Sequence, residues 1–306
     1  MIRIGLVGLG KIARDQHLPA IAASADFDLA ATASRNACAD GVASYGDLAA
    51  MLKAEPEMQA VALCQPPQVR HAAARAAIAA GKHVFLEKPP GATLSEVEDL
   101  AQAARQAGVT LFASWHSRFG AGVEPARAWL TDKAITGIAI EWKEDVRQWH
   151  PGQDWIWQPG GLGVFDPGIN ALSILTRLLP GPVRLEAAHL EFPSNREAPI
   201  AASMALRTSD GAPISAAFDW RQTGRQSWNI TVTTDAGVLL LADGGNRLAI
   251  DGIAQPLPGE AEYPSLYAQF ASLIRDRRSD VDVSPLRLVA DAFLTGRRSS
   301  TDAFHD

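Results

Sequence analysis

Short apolar runs alternate with alanine-rich segments over the first 120 residues. The runs IRIGLVG, AVALCQ and KHVFLE predict buried strands, while RHAAARAAIAAG and TLSEVEDLAQAARQAG have helical apolar spacing and end at glycines. Strands that alternate with helices require right-handed crossovers, which place the strands parallel in one sheet. The pattern therefore predicts an α/β domain with a doubly wound parallel sheet over residues 1–120.

After residue 120 the chain becomes rich in β-branched and aromatic residues. TGIAIEWKEDV, VRLEAAHLEF and WNITVTT indicate half-buried strands, and GLGVFDPGINALSILTRLL predicts one helix among them. YPSLYAQFASLIRDRR and SPLRLVADAFLTGRR have helical spacing and are expected to close this second domain. Residues 121–306 should therefore form an α+β domain with a mostly antiparallel sheet.

Composition narrows the class of partner. The chain has 306 residues, 47% hydrophobic and 20% charged, which is enough for two domains with large cores. Its net charge of −6 disfavours nucleic acid and anionic membranes as partners. We therefore expect a small-molecule ligand.

The sequence shows no targeting or metal signal. IRIGLVGLG occupies the N-terminus, where a signal peptide would begin with a charged region, and no apolar run reaches the about 18 residues of a membrane span. Cys38 and Cys64 lack CxxC spacing, and the histidines lack ligand spacing such as HExxH. These features predict a cytoplasmic protein without a bound metal.

Small residues follow the first predicted strand at the spacing of a dinucleotide-binding turn. Gly8, Gly10 and Ala13 fit the pattern G-x-G-x-x-A at the start of a predicted helix. Small side chains there allow a tight turn, a close approach of the backbone to a pyrophosphate and close packing of helix on strand. An ordinary glycine turn is the alternative, but the position at the start of a βαβ series favours a dinucleotide.

The end of the second predicted strand, ATASRN, bears on the choice between NAD and NADP. Folds that prefer NAD usually place a carboxylate there to bind the ribose hydroxyls. This chain has Ser34 and Arg35 instead, a hydroxyl and a guanidinium that suit a 2′-phosphate. These residues predict NADP as the preferred cofactor and NAD as the second, with a solvated turn as the alternative.

A lysine follows the predicted strand KHVFLE, in the segment LEKPPG. The carboxyl ends of parallel strands border the ligand crevice of an open α/β sheet, so Lys88 is expected beside the nicotinamide ring. Pro89 and Pro90 stiffen the chain behind it. A surface lysine before a turn is the alternative.

The segment GGLGVFDPGIN places Asp166 and Asn170 four residues apart, on one face of a predicted helix. An aspartate before a proline also begins helices, as an N-cap followed by proline at the first helical position, so capping competes with catalysis as the role of Asp166. An asparagine amide takes up no proton near neutral pH. Asn170 is therefore expected to orient a substrate or Asp166.

Tryptophans crowd the loop before these glycines. Trp149, Trp155 and Trp157 lie there beside His150, and Trp228 belongs to a later predicted strand. Sugar rings stack their C–H faces on indoles, so this composition suits a pyranose. Core packing is the alternative for each single tryptophan.

Together, the motifs GLVGLGKIA, CQPPQVRH, LEKPPG and GGLGVFDPGIN resemble those of the Gfo/Idh/MocA oxidoreductases, along essentially the whole chain. The resemblance implies a Rossmann domain, then a domain with an open sheet face, a sugar substrate, and a homodimer formed through that face. Within the family the chain is similar to bacterial aldose 1-dehydrogenases. This implies NAD(P)-dependent oxidation of a pyranose of the L-arabinose or D-galactose type at C1, which yields a lactone.

The resemblance also assigns residues to cofactor and sugar. The cofactor residues it implies are Gly8, Gly10, Lys11, Ile12, Ser34, Arg35, Gln65, Pro66, His71, Glu87 and Lys88. The substrate residues it implies are Lys88, His116, Trp149, Asp166, Asn170 and Trp228, with Lys88, Asp166 and Asn170 as the catalytic set. A structural histidine is the alternative for His116.

The chain departs from the family pattern at one catalytic position. The family has a lysine, then an aspartate and a histidine four residues apart; Lys88 and Asp166 match, and Asn170 stands in place of the histidine. Either Asp166 or Lys88 can accept the O1 proton, and we favour Asp166, because Lys88 can instead stabilise the developing oxyanion. A family enzyme for another sugar or polyol, or a non-catalytic NADP-binding regulator, is the alternative function.

Overall fold

The protein divides into two compact units. A computed structural model describes residues 1–259 and 261–305. Unit 1 comprises Met1–His116 and Glu262–Val283, and unit 2 comprises Ser117–Ala261 and Ser284–Asp306. The compact units therefore differ from the two ranges 1–120 and 121–306, because residues 262–283 belong with the N-terminal unit.

Helices and strands follow the alternation seen in the sequence. The strands in chain order are β1 Ile2–Val7, β2 Phe27–Ala33, β3 Ala43–Tyr45, β4 Ala60–Leu63, β5 His83–Leu86, β6 Leu111–Ala113, β7 Ile135–Lys143, β8 Val183–Pro193, β9 Ala201–Thr208, β10 Pro213–Asp219, β11 Ser227–Thr234, β12 Gly237–Ala242, β13 Arg247–Ile250, β14 Ile253–Ala254 and β15 Arg297–Thr301. The α-helices are α1 Leu18–Ala22, α2 Leu48–Ala54, α3 Pro67–Ala79, α4 Leu94–Ala107, α5 Val123–Leu130, α6 Val146–Trp149, α7 Phe165–Leu178, α8 Glu262–Arg275 and α9 Ser284–Thr295.

Unit 1 contains a parallel sheet in the order β3-β2-β1-β4-β5-β6. Its central strand β4 is buried along its whole length, as a strand covered on both faces by helices must be. The strand order reverses between β1 and β4, and in such sheets ligands bind at the carboxyl edge beside this reversal. The doubly wound Rossmann fold predicted for the first half of the chain is confirmed.

Helix α4 shows how local sequence fixes one of the covering helices. Thr93 is its N-cap and accepts a hydrogen bond from the backbone N–H of Glu96, and Gly108 ends it with a φ of 67°. Between these signals, Val97, Leu100 and Ala104 are buried at helical spacing against the core of unit 1.

Helix α8 belongs to unit 1, although the sequence pattern placed this segment in the second domain. It packs against α1, and the ring of Phe270 stacks on that of Phe27 with 5.7 Å between their centroids. Tyr263 and Tyr267 are completely or almost completely buried on the same helix. The expectation that α8 closes the second domain was wrong, because these tyrosines bond to buried groups of unit 1, as described below.

Unit 2 contains a mixed, mostly antiparallel sheet in the order β14-β13-β12-β11-β7-β10-β9-β8-β15. Along β7, Ile138, Ile140 and Trp142 are buried and alternate with exposed Ala139 and Glu141. One face therefore carries helices, among them α7 and α9, and the other face is open. This confirms the α+β domain with an open sheet.

Helix α7 lies unusually close to this sheet at its N-terminal end. A Cβ atom on Gly168 would lie 2.8 Å from Cδ1 of the Phe218 ring, so only glycine permits this approach. Phe165 also contacts Phe218, with 5.5 Å between ring centroids. The first turn of α7 is therefore held firmly in place.

None of the helices in the described part of the chain is long and apolar enough to span a bilayer.

Candidate active site

The turn after β1 has the geometry of a dinucleotide-binding loop. Gly8 has a φ of 90°, and a Cβ atom there would lie 3.0 Å from the backbone nitrogen of Gln65. Its N–H donates to the carbonyl oxygen of Ala33, at the end of β2. Beside Gly10, by contrast, the described residues leave open space around the position of a Cβ atom. The chain thus turns tightly at Gly8 and leaves room at Gly10.

The helix that follows this turn is irregular. Lys11 and Ile12 begin it, and Lys11 is exposed and paired with Asp15. Ala13–His17 is a π-helical turn in which the Leu18 N–H bonds to the carbonyl of Ala13, and such turns are frequent at functional sites. Its buried last residue, His17, is a functional position that the sequence patterns did not single out.

The end of β2 lies where the adenosine ribose is expected. Ser34 follows β2 directly, and its N–H donates to the carbonyl oxygen of Tyr45 in β3. Arg35 is exposed, and within residues 1–259 and 261–305 no carboxylate pairs with its guanidinium. The residues present therefore leave a hydroxyl and a cation available at this edge.

Gln65 gives a direct test of whether a dinucleotide fits here. Its side chain contacts Gly8, and its Oε1 is buried with no hydrogen-bond partner among the described residues. A buried acceptor of this kind suits a ligand that donates hydrogen bonds. Pro66 precedes α3, and His71 on that helix bonds to Asp99, with 2.8 Å between Nε2 and Oδ2. The loop fits the cofactor, while the roles of Pro66 and His71 stay predictions.

Arg70 is a second position that the sequence patterns did not single out. It is buried on α3, and its guanidinium donates to the carbonyl oxygens of Gln65, Glu87 and Pro89. A planar guanidinium can hold several acceptors at fixed angles. Arg70 therefore ties the loop after β4 to the loop after β5, which carry the predicted cofactor residues.

Glu87 is the centre of a buried polar network. Its Oε1 accepts from the hydroxyl of Tyr263 at 2.8 Å and lies 3.1 Å from Nε2 of His17. Its Oε2 accepts from the backbone N–H of Lys88 at 2.7 Å, and the other ring nitrogen of His17 bonds to the Tyr267 hydroxyl. Glu87 thus fixes the backbone of Lys88, and its contact with the cofactor stays a prediction.

The electrostatics of Glu87 follow from these contacts. Burial acts to raise the pKa of its carboxyl group, but the hydrogen bond and charge of His17, with His116 and Tyr263, outweigh burial and hold this pKa at about 2. The carboxyl group in turn helps burial to raise the pKa of Tyr263. Glu87 is therefore an ionised structural anchor beside Lys88.

His116 bonds within unit 1. Its Nδ1 lies 2.7 Å from Oε2 of Glu262, and its ring stacks on Tyr263 with 5.6 Å between centroids. The structural role left open for His116 is thus satisfied by Glu262. Its contact with a sugar stays a prediction.

In unit 2, the glycines before α7 are required by close contacts. A Cβ atom on Gly161 would lie 2.3 Å from the carbonyl oxygen of Trp155, and Gly163 has a φ of 55° against Pro199. Helix α7 begins at Phe165, so Asp166 is its second residue and Val164 its N-cap. Asp166 is therefore not the N-cap of α7, and capping is wrong as an account of this residue.

Asp166 and Asn170 lie on one face of α7, as their spacing predicts. Asp166 is 3% exposed, and Asn170 is half-buried one turn further along. The helix N-terminus favours a negative charge at the position of Asp166.

The tryptophans divide into two groups. Trp157 and Trp220 are buried and pack against each other, with 5.0 Å between ring centroids, so core packing accounts for Trp157. Trp149 is 41% exposed, and its ring meets that of Trp228 edge to face at 5.6 Å. Trp149 and Trp228 therefore form an aromatic corner accessible to a ligand.

His150 lies beside this corner, between two buried carboxylates. Its Nε2 is 3.5 Å from Oε1 of Glu144, and its Nδ1 is 3.8 Å from Oδ2 of Asp166. Oε2 of Glu144 accepts from the indole N–H of Trp228 at 2.8 Å.

Among the residues that the structure describes, no three His, Cys, Asp or Glu side chains are placed to hold a metal ion. Glu144 carried no motif, and its burial after a strand could not be inferred from local pattern.

Comparison with known proteins defines the class. Residues 2–114 match the family described as "Oxidoreductase family, NAD-binding Rossmann fold". Over its full length the chain is 47% identical to galactose 1-dehydrogenase from Pseudomonas fluorescens, covering 100% of this chain and 99% of the relative. The chain belongs to the Gfo/Idh/MocA oxidoreductase family, and its N-terminal domain is an NAD-binding Rossmann domain.

Solved structures agree with this assignment. D-galactose-1-dehydrogenase protein from Rhizobium etli superimposes with a TM-score of 0.96 at 59% identity, covering 99% of this chain and 98% of that one. The 3-ketoreductase KijD10 from Actinomadura kijaniata, solved with NADP and TDP-benzene, superimposes with a TM-score of 0.86 at 20% identity, covering 98% and 99%. The second likeness shows the fold alone.

The lowered pKa of Glu87 gives the stability of unit 1 a pH dependence of definite sign. The folded-state pKa of about 2 lies below the usual 4.5, so the unfolded state binds more protons below pH 4.5 and stability is lost as the pH falls toward 2. Glu87→Gln removes this dependence. In chemical denaturation, wild type should lose about 1 kcal/mol more than Glu87→Gln between about pH 4.5 and about pH 3.5.

Glu98→Gln is the matched control, because Glu98 is exposed on α4. Its stability should follow that of wild type at each pH. Parallel curves for wild type and Glu87→Gln would show that the Glu87 network does not hold the charge in the folded state.

Proposed function

We propose that this protein is an NADP-preferring aldose 1-dehydrogenase that oxidises pyranoses such as D-galactose and L-arabinose at C1 to the lactone. Its full-length similarity to proteins named as galactose 1-dehydrogenases, at 47% and 59% identity, carries the proposal. The buried carboxylate of Asp166 and the accessible aromatic corner of Trp149 and Trp228 support it, since carbohydrate sites combine indole faces with polar partners.

The proposed chemistry gives each residue of the catalytic set a role. Asp166 accepts the O1 proton of the sugar, and Asn170 hydrogen-bonds a neighbouring hydroxyl or Asp166 itself. Lys88, anchored through the Glu87 network, stabilises the oxyanion that develops on O1. When bound, the nicotinamide supplies the acceptor for the C1 hydride. Lys88 is the alternative acceptor of the proton.

The aromatic corner of Trp149 and Trp228 is the proposed sugar wall. Trp149 is held by a hydrogen bond from its Nε1 to Oε1 of Gln226 at 2.6 Å, and Trp228 by its bond to Glu144. Fixed indoles lose little freedom when a sugar stacks on them. His116 is proposed as a further hydroxyl partner.

Two further assignments rest on the same proposal. As a dehydrogenase that draws on the cellular dinucleotide pool, the protein would act in the cytoplasm.

The open sheet face presents small side chains, among them Ala139, Ser203, Ala205 and Ser215, which would let a second copy approach closely. We propose a homodimer through this face, and sedimentation velocity measures it directly.

The substrate prediction rests on stereochemistry. D-galactose, L-arabinose and D-fucose share the arrangement from C1 to C4, while D-glucose inverts C4 and would leave buried polar groups unpaired, at about 1–3 kcal/mol each. We expect NADP reduction with the first three and far slower turnover with D-glucose and D-mannose. Steady-state kcat/KM on this panel is the measurement. Equal values for D-glucose and D-galactose would contradict a site that reads the axial C4 hydroxyl, and no reduction with any sugar would favour a regulator.

Asp166→Asn tests the acceptor of the proton. It keeps the size and polarity of the side chain but removes its charge, so kcat should fall at least about 100-fold while NADP affinity measured by calorimetry is nearly unchanged. Asp210→Asn, at an exposed position in unit 2, is the control and should behave as wild type. Near-normal turnover in Asp166→Asn would transfer the role of base to Lys88.

Ser34→Asp tests the cofactor preference. A carboxylate at the end of β2 repels a 2′-phosphate and can bind ribose hydroxyls, so the ratio of kcat/KM should shift toward NAD by about 10-fold or more. Ser95→Asp adds the same charge on α4 and should leave the ratio unchanged. An unaltered ratio in Ser34→Asp would mean that the 2′-phosphate is bound elsewhere.

A further inference from the structure

The imidazole of His150 joins two buried carboxylates that come from different elements. Glu144 follows β7, His150 follows α6, and Asp166 lies in the first turn of α7. The side chains of Glu144 and Asp166 are 6% and 4% exposed, and that of His150 is 15% exposed. The ring therefore connects a buried carboxylate pair to solvent.

Two atoms of this cluster are unsatisfied. Oε1 of Glu144 and Nδ1 of His150 are buried without a hydrogen-bond partner in the described ranges. The ring is 3.5 Å from one carboxylate and 3.8 Å from the other, a few tenths of an ångström beyond hydrogen-bond range. Catalytic hydrogen bonds are often long without substrate and shorten when it binds.

Glu144 is held independently of His150. The indole N–H of Trp228 bonds to Oε2 of Glu144, and the backbone N–H of Glu144 bonds to the carbonyl of Asp219. Both carboxylates only accept hydrogen bonds when ionised, and that of Glu144 is the nearer to the ring, at 3.5 Å against 3.8 Å, so the imidazole tautomer that carries hydrogen on Nε2 is favoured. The lone pair of Nδ1 is then directed at Asp166. This is the arrangement in which a third group orients a base.

We infer that His150 is a proton-relay residue that regenerates Asp166, with Glu144 as the residue that positions it. The inference rests on the proposed function. The O–H bond at O1 of the sugar breaks and its proton passes to Asp166, while the hydride leaves C1 for the oxidised nicotinamide and C1=O forms. The proton then moves from Asp166 to Nδ1 of His150 and leaves from the ring to water.

The transfer conserves the charge of the cluster: before it Asp166 is protonated and the ring is neutral, and after it a positive ring lies between the two carboxylates. The charged groups facing His150 are Glu144 and Asp166, while Arg147 on α6 hydrogen-bonds Asp145 and the uncharged ring of Trp220 packs on one side at 5.4 Å. Asn170 cannot perform this step, because an amide takes up no proton.

The tautomer of His150 tests the arrangement without any turnover. Two-dimensional NMR of the full chain labelled with ¹⁵N-histidine reports which ring nitrogen carries hydrogen, and the signal is assigned by its loss in His150→Asn. We expect hydrogen on Nε2 at about pH 8, and a mixture of tautomers in Glu144→Gln. Hydrogen on Nδ1 in wild type would overturn the inference, whatever the protein catalyses.

Kinetics test the relay itself. His150→Asn should lower kcat with D-galactose by about 10-fold to 100-fold and change KM by less than about 3-fold, and His150→Ala should regain turnover with added imidazole. His189→Asn, on exposed β8, is the control, and thermal melts confirm that each variant folds.

The outcomes separate the relay from the proposed function. Wild type without turnover on any sugar refutes the proposed function, and the tautomer measurement still decides the geometry. Wild-type turnover with an unchanged kcat and a raised KM in His150→Asn would overturn the relay and make His150 a sugar contact. Lost activity in His150→Ala that added imidazole does not restore would make His150 structural.

Discussion

The buried carboxylate of Glu87 is the interaction on which unit 1 depends. An ionised carboxylate in an apolar interior is strongly destabilising unless its oxygens are hydrogen-bonded and its charge is paired. In this protein the partners are the backbone N–H of the next residue, Lys88, and two side chains from distant segments of the chain, His17 and Tyr263. This requirement explains why residues 262–283 belong with unit 1, since Tyr263 reaches Glu87 only from a helix packed there.

The number of hydrogen-bonded oxygens on a buried carboxylate distinguishes structural from reactive carboxylates. The oxygens of Glu87 are saturated, and its pKa of about 2 keeps it ionised at every physiological pH. Glu144 is also buried, but only its Oε2 accepts a hydrogen bond; its Oε1, which faces His150, has no partner among the described residues. A carboxylate with both oxygens hydrogen-bonded keeps its charge, as Glu87 does. A carboxylate with one unpaired oxygen beside a histidine, as in Glu144, can take part in proton transfer through that histidine. By this criterion Glu87 is an anchor, and the Glu144–His150–Asp166 cluster of unit 2 is where chemistry is expected.

Local signals in the sequence were sufficient for the parallel sheet, the turn at Gly8 and the helix that carries Asp166 and Asn170. Non-local requirements were not predictable in this way. Strand β9, AASMALRT, has a single β-branched residue, Thr208 at its end, and the placement of α8 depends on Glu87. The prediction that Asp166 could be an N-cap was wrong because the Asp-Pro pair does not define where the helix begins. A first helical turn has no intrahelical acceptors for its N–H groups, so an Asp-Pro pair fits its second and third positions as well as its start.

In the proposed site, Trp228 connects recognition to chemistry. Its ring meets Trp149 at the accessible corner, and its N–H holds Glu144, which in turn orients His150 toward Asp166. A sugar that stacks on this corner would therefore contact Trp228, the residue whose N–H holds Glu144 in place. Because interactions accelerate a reaction only when they strengthen in the transition state, this connection lets binding of the correct ring support the chemical step. In the proposed site, a substitution at Trp228 is therefore expected to change sugar selectivity and turnover together.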